Sequence, residues 1–274
     1  MTTTSATITG RYERAFAAAA DRSGYLTVPF FMVGDPDAET FLAIVDAAIE
    51  AGADGLELGI PFSDPVADGP AVQGAAMRAF ASGVGKARSF ELLAEVRRRH
   101  PETPVGLLVY ANLVWTPSPD VFFRRCAEAG VDAVLTADVP VQHIAPIRDA
   151  ARSHGVQTAL IAPSNATAED LKAIATLSEG YVYLVSRSGV TGADKAAGKP
   201  SPEIVQALRA HGAPPALLGF GVSRAEHVRA ALEAGAAGVF SGSAYSTVIA
   251  SNLGDHDALL AGVRSLTREL ATAR

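Results

Sequence analysis

Glu57 and Asp68 are the residues of this chain best placed, by type and spacing, to move protons. Glu57 falls inside Gly55–Gly59, a short apolar run that reads as a buried strand. Side chains alternate along a strand, so Leu56 and Leu58 share one face and Glu57 takes the other. A lone ionised carboxylate on a buried strand costs several kcal/mol or shifts its pKa, so its presence wants a reason. Asp68 follows eleven positions later, across a connection stiffened by Pro61 and Pro65. Two carboxylates held across a pocket suit general acid and base catalysis. The residues also fit a plainer arrangement, in which Glu57 pairs with a buried arginine and Asp68 caps a helix starting near Gly69-Pro70.

The elements that must position these acids alternate regularly. Apolar and β-branched runs predict eight strands: Leu26–Val33, Gly55–Gly59, Val105–Tyr110, Ala133–Ala137, Gln157–Ile161, Tyr181–Val185, Ala216–Phe220 and Gly238–Phe240. Helical periodicity follows each, over 37–51, 89–99, 120–129, 142–153, 168–177, 201–210, 224–234 and 255–272. A further helix, 11–22, precedes the first strand. Strict β-α alternation implies parallel strands with right-handed crossovers, and eight such units close into a barrel. A short repeat agrees: Glu50-Ala51-Gly52, Glu128-Ala129-Gly130 and Glu233-Ala234-Gly235 each put glycine where a helix ends and the chain turns into a strand. The expected fold class is α/β, a single (β/α)8 TIM barrel over residues 11–274, with an extra N-terminal helix and a flexible tail over 1–10.

Barrel enzymes work at the C-terminal ends of their strands. Small-residue turns stand there after strands six, seven and eight, at Ser188-Gly189-Val190-Thr191-Gly192, Gly219-Phe220-Gly221 and Ser241-Gly242-Ser243. Each glycine alone is explained by a tight turn. Three at consecutive strand ends suit backbone N–H groups that hold a phosphate, with no need for a lysine or arginine cluster. The four lysines, Lys86, Lys172, Lys195 and Lys199, avoid strand ends, which leaves a Schiff-base aldolase without its amine. The six histidines fall in helices or at their ends, away from the expected catalytic face, and no metal-ligand spacing appears. No dinucleotide fingerprint follows a strand. Chemistry would then run on carboxylates, with a substrate able to hold electrons itself, such as an enamine or an aromatic nitrogen ring.

Composition sets outer limits. The 274 residues are 49% hydrophobic and 19% charged, ample for a globular core. A formal net charge of −6 argues against a nucleic-acid surface or a basic membrane patch. No apolar run approaches the ~18 residues a membrane span needs. The one cysteine, Cys126, excludes an internal disulfide and reads as a packed helical thiol. Residues 1–7 lack the charged start and apolar core of a signal peptide, so a cytoplasmic protein is expected.

The stretch Glu57-Leu58-Gly59-Ile60-Pro61-Phe62-Ser63-Asp64-Pro65-Val66-Ala67-Asp68-Gly69-Pro70 closely resembles the signature of the tryptophan synthase alpha subunit family. Pro29-Phe30, Gly34-Asp35-Pro36, Tyr110-Ala111-Asn112, Ala137-Asp138-Val139-Pro140, Ser186–Gly192, Gly219-Phe220-Gly221 and Ser241–Ala244 extend the resemblance in order along the chain. It implies reversible retro-aldol cleavage of indole-3-glycerol phosphate to indole and glyceraldehyde 3-phosphate, a step of tryptophan biosynthesis. By the same carry-over, Glu57 is the acid/base, and Asp68 accepts a hydrogen bond from the indole N–H. Thr191, Gly192, Gly221, Gly242 and Ser243 fall at the phosphate, and Phe30, Leu108, Tyr183 and Phe220 around the indole.

The resemblance further implies no cofactor or metal in this chain and an alpha2-beta2 heterotetramer with a pyridoxal-phosphate beta subunit. Asp64, Pro65 and Asn112 then belong to the partner interface, and the long loop Ser186–Lys199 to a lid. Three features depart from the family pattern: Phe240, the loop Trp115–Pro119, and Ala193–Lys199. Two neighbouring readings stay open at this point, a free-standing indole-releasing lyase and another phosphosugar isomerase of the barrel class.

Overall fold

The computed structural model describes residues 10–185, 201–219 and 221–273. Eight parallel strands close into a barrel in sequence order: β1 (Leu26–Met32), β2 (Leu56–Gly59), β3 (Val105–Val109), β4 (Ala133–Thr136), β5 (Gln157–Ala162), β6 (Val182–Leu184), β7 (Ala216–Leu218) and β8 (Gly238–Ser241). β8 pairs back onto β1, with Leu26 opposite Gly238. All eight expected strands are present, most of them trimmed by a residue or two. The expected tail, apart from Gly10, lies outside the described residues, as does the loop 186–199.

Among the described residues the helices are α1 (Arg11–Arg22), α2 (Ala38–Glu50), α3 (Pro70–Ala81), α4 (Lys86–Arg99), α5 (Ala111–Trp115), α6 (Pro119–Glu128), α7 (Ala145–Ser153), α8 (Ala168–Leu177), α9 (Pro202–Ala210), α10 (Ala225–Glu233), α11 (Ser243–Ser251) and α12 (His256–Ala271). Three of these, α3, α5 and α11, exceed the one helix per strand that alternation predicts. The helix expected over 142–153 divides into a 3-10 turn, Val141–His143, and α7, which has a proline in its first turn. No described helix is long and apolar enough to cross a membrane.

The glycine repeat performs the expected turn. Gly52, Gly130 and Gly235 adopt φ of 108°, 73° and 90°, the left-handed conformation that reverses a helix end into a strand. In two repeats an aspartate follows two residues later and accepts a backbone N–H at the mouth of the neighbouring strand. Asp54 takes the amide of Thr27 at 2.8 Å and Asp132 that of Val105 at 2.8 Å. Asp132 is itself held by Arg11 at 2.8 Å and Arg97 at 2.7 Å, which ties α1 and α4 to the barrel's N-terminal rim.

Two apolar layers result. Leu56 and Leu58 point outward with Val105 and Leu107 into the layer between sheet and helices. Full burial of each contributes about 1.5–3 kcal/mol. Leu26, Val28, Leu135, Ala159 and Leu217 point inward and fill the barrel. Tyr12 of α1 enters from the N-terminal end, and its ring meets Tyr181 at 5.0 Å. Gly106 on β3 makes the room, since a Cβ there would lie 2.6 Å from the Tyr12 hydroxyl and 3.2 Å from that of Tyr181. The opposite end of the barrel is left for the site.

Candidate active site

Glu57 points into the barrel, opposite in face to Leu56 and Leu58, as the alternation predicts. It is 1% exposed. Its Oε1 accepts from the Tyr181 hydroxyl at 3.2 Å, and no described arginine pairs with it. Burial pushes the Glu57 carboxyl up to about 8, against the Tyr181 hydrogen bond, which favours the ionised form. The group therefore holds its proton at neutral pH and stands ready to donate it.

Asp68 sits at the end of the loop between β2 and α3, also buried. The helix does start at Pro70, but Asp68 does not cap it: Gly69 is the N-cap, with no side-chain cap hydrogen bond. Asp68 is held from two sides instead. Its backbone carbonyl accepts from Gln73 Nε2 at 2.7 Å. Its carboxyl is raised above its ordinary pKa by burial, and the neighbouring Tyr110 hydroxyl counters that shift.

One cavity gathers both acids. Its walls are Phe30, Glu57, Asp68, Val72, Leu108, Tyr183, Gly219, Gly221, Val222, Phe240, Gly242 and Ser243. Between them lies about 470 Å³, counted to the open mouth. Phe30, Leu108, Tyr183, Gly221, Gly242 and Ser243 thus line the same cavity as Glu57 and Asp68. Thr191, Gly192 and Phe220 lie outside the described residues. The larger hollow at the ends of β4 and β5, lined by Thr136, Asp138 and Asn165 among others, contains neither Glu57 nor Asp68.

The cavity is chemically divided. Its apolar part is Phe30, Leu108, Val72, Tyr183 and Phe240, with Phe240 stacked on Tyr183 at 5.0 Å and 22°. Such walls suit a flat apolar ring. At the other part, Gly242 is the N-cap of α11 and Ser243 its first residue, so unpaired backbone N–H groups and the helix dipole face the cavity. Gly221, at φ 74°, supplies the neighbouring turn. Ser241 Oγ donates to the Val222 carbonyl at 2.7 Å and clips the two turns together. An anion fits here without a basic side chain.

Sequence reasoning did not single out Val72 and Val222 as walls; it placed Gly219 in the turn after strand seven and read Phe240 as a departure that reshapes one end of the pocket. Val72 lies on α3, one of the helices that alternation does not require. Gly219 and Val222 flank the Phe220-Gly221 turn, so the motif carried their signal. Three histidines stand nearer this end of the barrel than expected. His143 follows β4, His227 accepts the Ser223 amide at 3.2 Å after β7, and His256 lines a hollow with Pro36. None lines the acid cavity. Among the described residues no group of three His, Cys, Asp or Glu is placed to hold a metal. Cys126 is fully buried in α6, and burial raises its thiol pKa, as expected of a packed thiol. Asn112 and Asp64 are exposed at the same end, Asn112 on α5 and Asp64 in the loop that leads to Asp68.

Comparison with known proteins follows the same line. The family model for the tryptophan synthase alpha chain matches residues 16–274. The alpha chain of Photobacterium profundum is 49% identical over 263 residues, covering 96% of this chain and 98% of the relative. That of Klebsiella aerogenes is 50% identical over the same span and coverage. Among solved structures, Mycobacterium tuberculosis tryptophan synthase superposes with a TM-score of 0.85 at 28% identity, covering 96% of this chain and 98% of its own. A chain of the Pyrococcus furiosus tryptophan synthase a2b2 complex, described for its mutual activation, gives 0.78 at 33% identity, covering 90% and 97%.

Proposed function

We propose how this chain, which belongs to the tryptophan synthase alpha chain family, uses Glu57 and Asp68 in the reaction of that family. The reaction is the reversible cleavage of indole-3-glycerol phosphate to indole and glyceraldehyde 3-phosphate, so the chain is a carbon–carbon lyase of tryptophan biosynthesis.

Glu57 starts protonated, because burial holds its carboxyl at about 8. It gives the proton to indole C3, which turns the ring into a cationic indolenine. Asp68 accepts a hydrogen bond from the indole N–H and stabilises that positive charge; the Tyr110 hydroxyl favours the ionised carboxylate this needs. The Glu57 carboxylate then takes the proton of the adjacent side-chain hydroxyl. The hydroxyl carbon becomes the aldehyde, the bond to C3 breaks, and its electron pair returns to the ring. Glu57 ends as it began, protonated. Phe30, Leu108 and Tyr183 wall the indole, and Gly221, Gly242 and Ser243 hold the phosphate with backbone N–H groups and the start of α11; Phe220 is assigned to the indole and Thr191 and Gly192 to the phosphate by the family resemblance.

The single observation that carries this reading is the pair of acids in one cavity, one on a strand and one on a loop, in different environments. Residues 11–274 form the catalytic barrel. The exposed Asp64 and Asn112, with the half-buried Pro65, are read as docking points for a beta subunit in an alpha2-beta2 assembly. The a2b2 assembly of the Pyrococcus furiosus relative supports that partner. Pyridoxal phosphate is assigned to the beta subunit, and cytoplasmic residence accords with one buried free cysteine. The test is indole release from indole-3-glycerol phosphate by the purified chain, alone and titrated with a beta subunit. Release that the partner accelerates supports both readings; no release in either arm refutes the reaction.

A further inference from the structure

We propose that Tyr110 is the positioning residue for Asp68, fixing both the loop that carries this acid and the direction of its carboxylate. The inference rests on the reading of Asp68 as the group that stabilises the charged ring.

Glu57 needs little help to be placed, since it stands on β2 with pairing partners on both sides, Phe30 of β1 and Gly106 of β3. Asp68 has no such support. It is nine residues past the end of β2, in a loop whose tip carries the exposed Val66. What docks that loop onto the barrel is Tyr110, the residue immediately after β3. Its hydroxyl accepts the backbone N–H of Ala67 at 3.2 Å, one residue before Asp68. Its ring stacks on Phe62 at 5.4 Å and 27°, near the start of the same loop. The hydroxyl keeps its own proton after accepting there, and it acts on the neighbouring Asp68 carboxyl in favour of the ionised form. One buried side chain thus grips the loop at its start and again beside the acid.

Tyr110 is itself well anchored. It is 4% exposed, and the next backbone N–H, of Ala111, donates to Asp138 Oδ1 at 2.7 Å beyond β4. On the other side Gln73 holds the Asp68 carbonyl, so only the carboxylate's direction is left to settle. Packing alone could use phenylalanine here. The hydroxyl is the part that needs a reason, and its partner, the Ala67 N–H, is the residue before Asp68.

The consequence for ionisation has a definite sign. The groups around the Asp68 carboxyl are Tyr110 from the end of β3, Tyr183 from β6, Glu57 from β2, and the apolar Phe30 and Val72. Glu57 is protonated below about 8, so it adds no charge beside Asp68 at neutral pH. Asp138 acts on Tyr110 through its charge and accepts from the Ala111 N–H. Loss of the Tyr110 hydroxyl therefore removes a polar group that favours the carboxylate, and the Asp68 pKa rises.

The test is Tyr110→Phe, which keeps the ring and its stack on Phe62. Steady-state cleavage of indole-3-glycerol phosphate is measured across pH for the wild type, Tyr110→Phe, Asp68→Asn and the double variant. The expected result is a fall in kcat of about tenfold, with the acid limb moved up by about one unit, the scale of one hydrogen bond to a charged group. KM should stay within about threefold, and Tyr110→Phe should cost nothing more in the Asp68→Asn background. An unmoved acid limb, or an equal loss in that background, overturns the proposal. Carboxyl-carbon NMR titration of Asp68 in the wild type and Tyr110→Phe reads the same pKa without activity. Inactivity of the wild type would refute the reaction, whereas an unchanged Asp68 pKa would refute the role of Tyr110.

Discussion

The hydroxyl of Tyr181 donates to Oε1 of Glu57 at 3.2 Å inside the barrel, with both groups cut off from solvent. The tyrosine in turn packs between Tyr12, at 5.0 Å, and Phe240, at 5.1 Å. The acid is thus held by a side chain that aromatic neighbours lock in place. Its proton affinity is set by burial against one hydrogen bond.

Tyr181→Phe should shift the basic limb of the rate profile. The hydrogen bond lowers the Glu57 pKa against the larger effect of burial. Without it the carboxyl rises further above about 8, the protonated acid persists to higher pH, and the basic limb of kcat moves upward. A limb that stays in place or moves down would contradict the assignment of Glu57 as the proton donor. The measurement is kcat at saturating substrate from pH 6 to 10.

Glu57→Gln should change stability in a pH-dependent way. At low pH, below the ordinary carboxyl value of 4.5, native and unfolded Glu57 are both protonated and the group contributes no pH dependence. Between 4.5 and about 8 the unfolded chain loses this proton while the native state keeps it. The raised native pKa thus gives stability that is fully present below 4.5 and lost as pH rises through about 8. Glutamine titrates in neither state, so the variant avoids that loss. Its advantage over the wild type should grow from pH 5 to pH 8, reaching up to about 4 kcal/mol. Urea unfolding at the two pH values checks it; an equal difference at both would contradict the raised pKa.

Gly219→Ala should damage the site from a position that carries no chemistry. A Cβ at residue 219 would lie 1.8 Å from Cζ of Tyr183, whose hydroxyl also donates to the Gly219 carbonyl at 2.7 Å. The ring must leave, and Phe240 loses its stacking partner. The expected loss is about 10²-fold in kcat/KM, with a stability cost of about 1–3 kcal/mol. Near-normal kinetics would remove Tyr183 from the substrate walls.

Asp64→Lys should weaken activation by a beta subunit. Asp64 is exposed on the loop that carries Asp68, and Asn112 is exposed on the neighbouring α5. The expected outcome is a rise of about tenfold in the beta-subunit concentration that half-activates cleavage. Unchanged half-activation would move the interface away from this loop.

The parts of this fold that repeat locally were the parts legible in the sequence. Strand alternation placed Glu57 inward and Leu56 and Leu58 outward, and the Gly52, Gly130 and Gly235 turns announced the βα unit. The extra helices were harder to see, because α3, α5 and α11 sit inside connections that a simple alternation treats as loops. α5 has five residues, too few for periodicity to register. Contacts between distant residues left no local pattern at all. Tyr110 meets Ala67 across 43 positions, and Tyr181 meets Glu57 across 124. The acids were visible as residue types, whereas the burial that raises their pKa values and the tyrosines that oppose it became visible only once the barrel closed.

The most direct test of the proposed chemistry is steady-state cleavage of indole-3-glycerol phosphate by Glu57→Gln. The substitution keeps the size of the side chain and removes its ability to give and take a proton. Turnover should fall by at least ~10²–10⁴-fold, the scale of a lost general acid and base, while the substrate still binds. Cleavage within a few-fold of the wild type would show that Glu57 does not move the proton, and the mechanism built on it would fail.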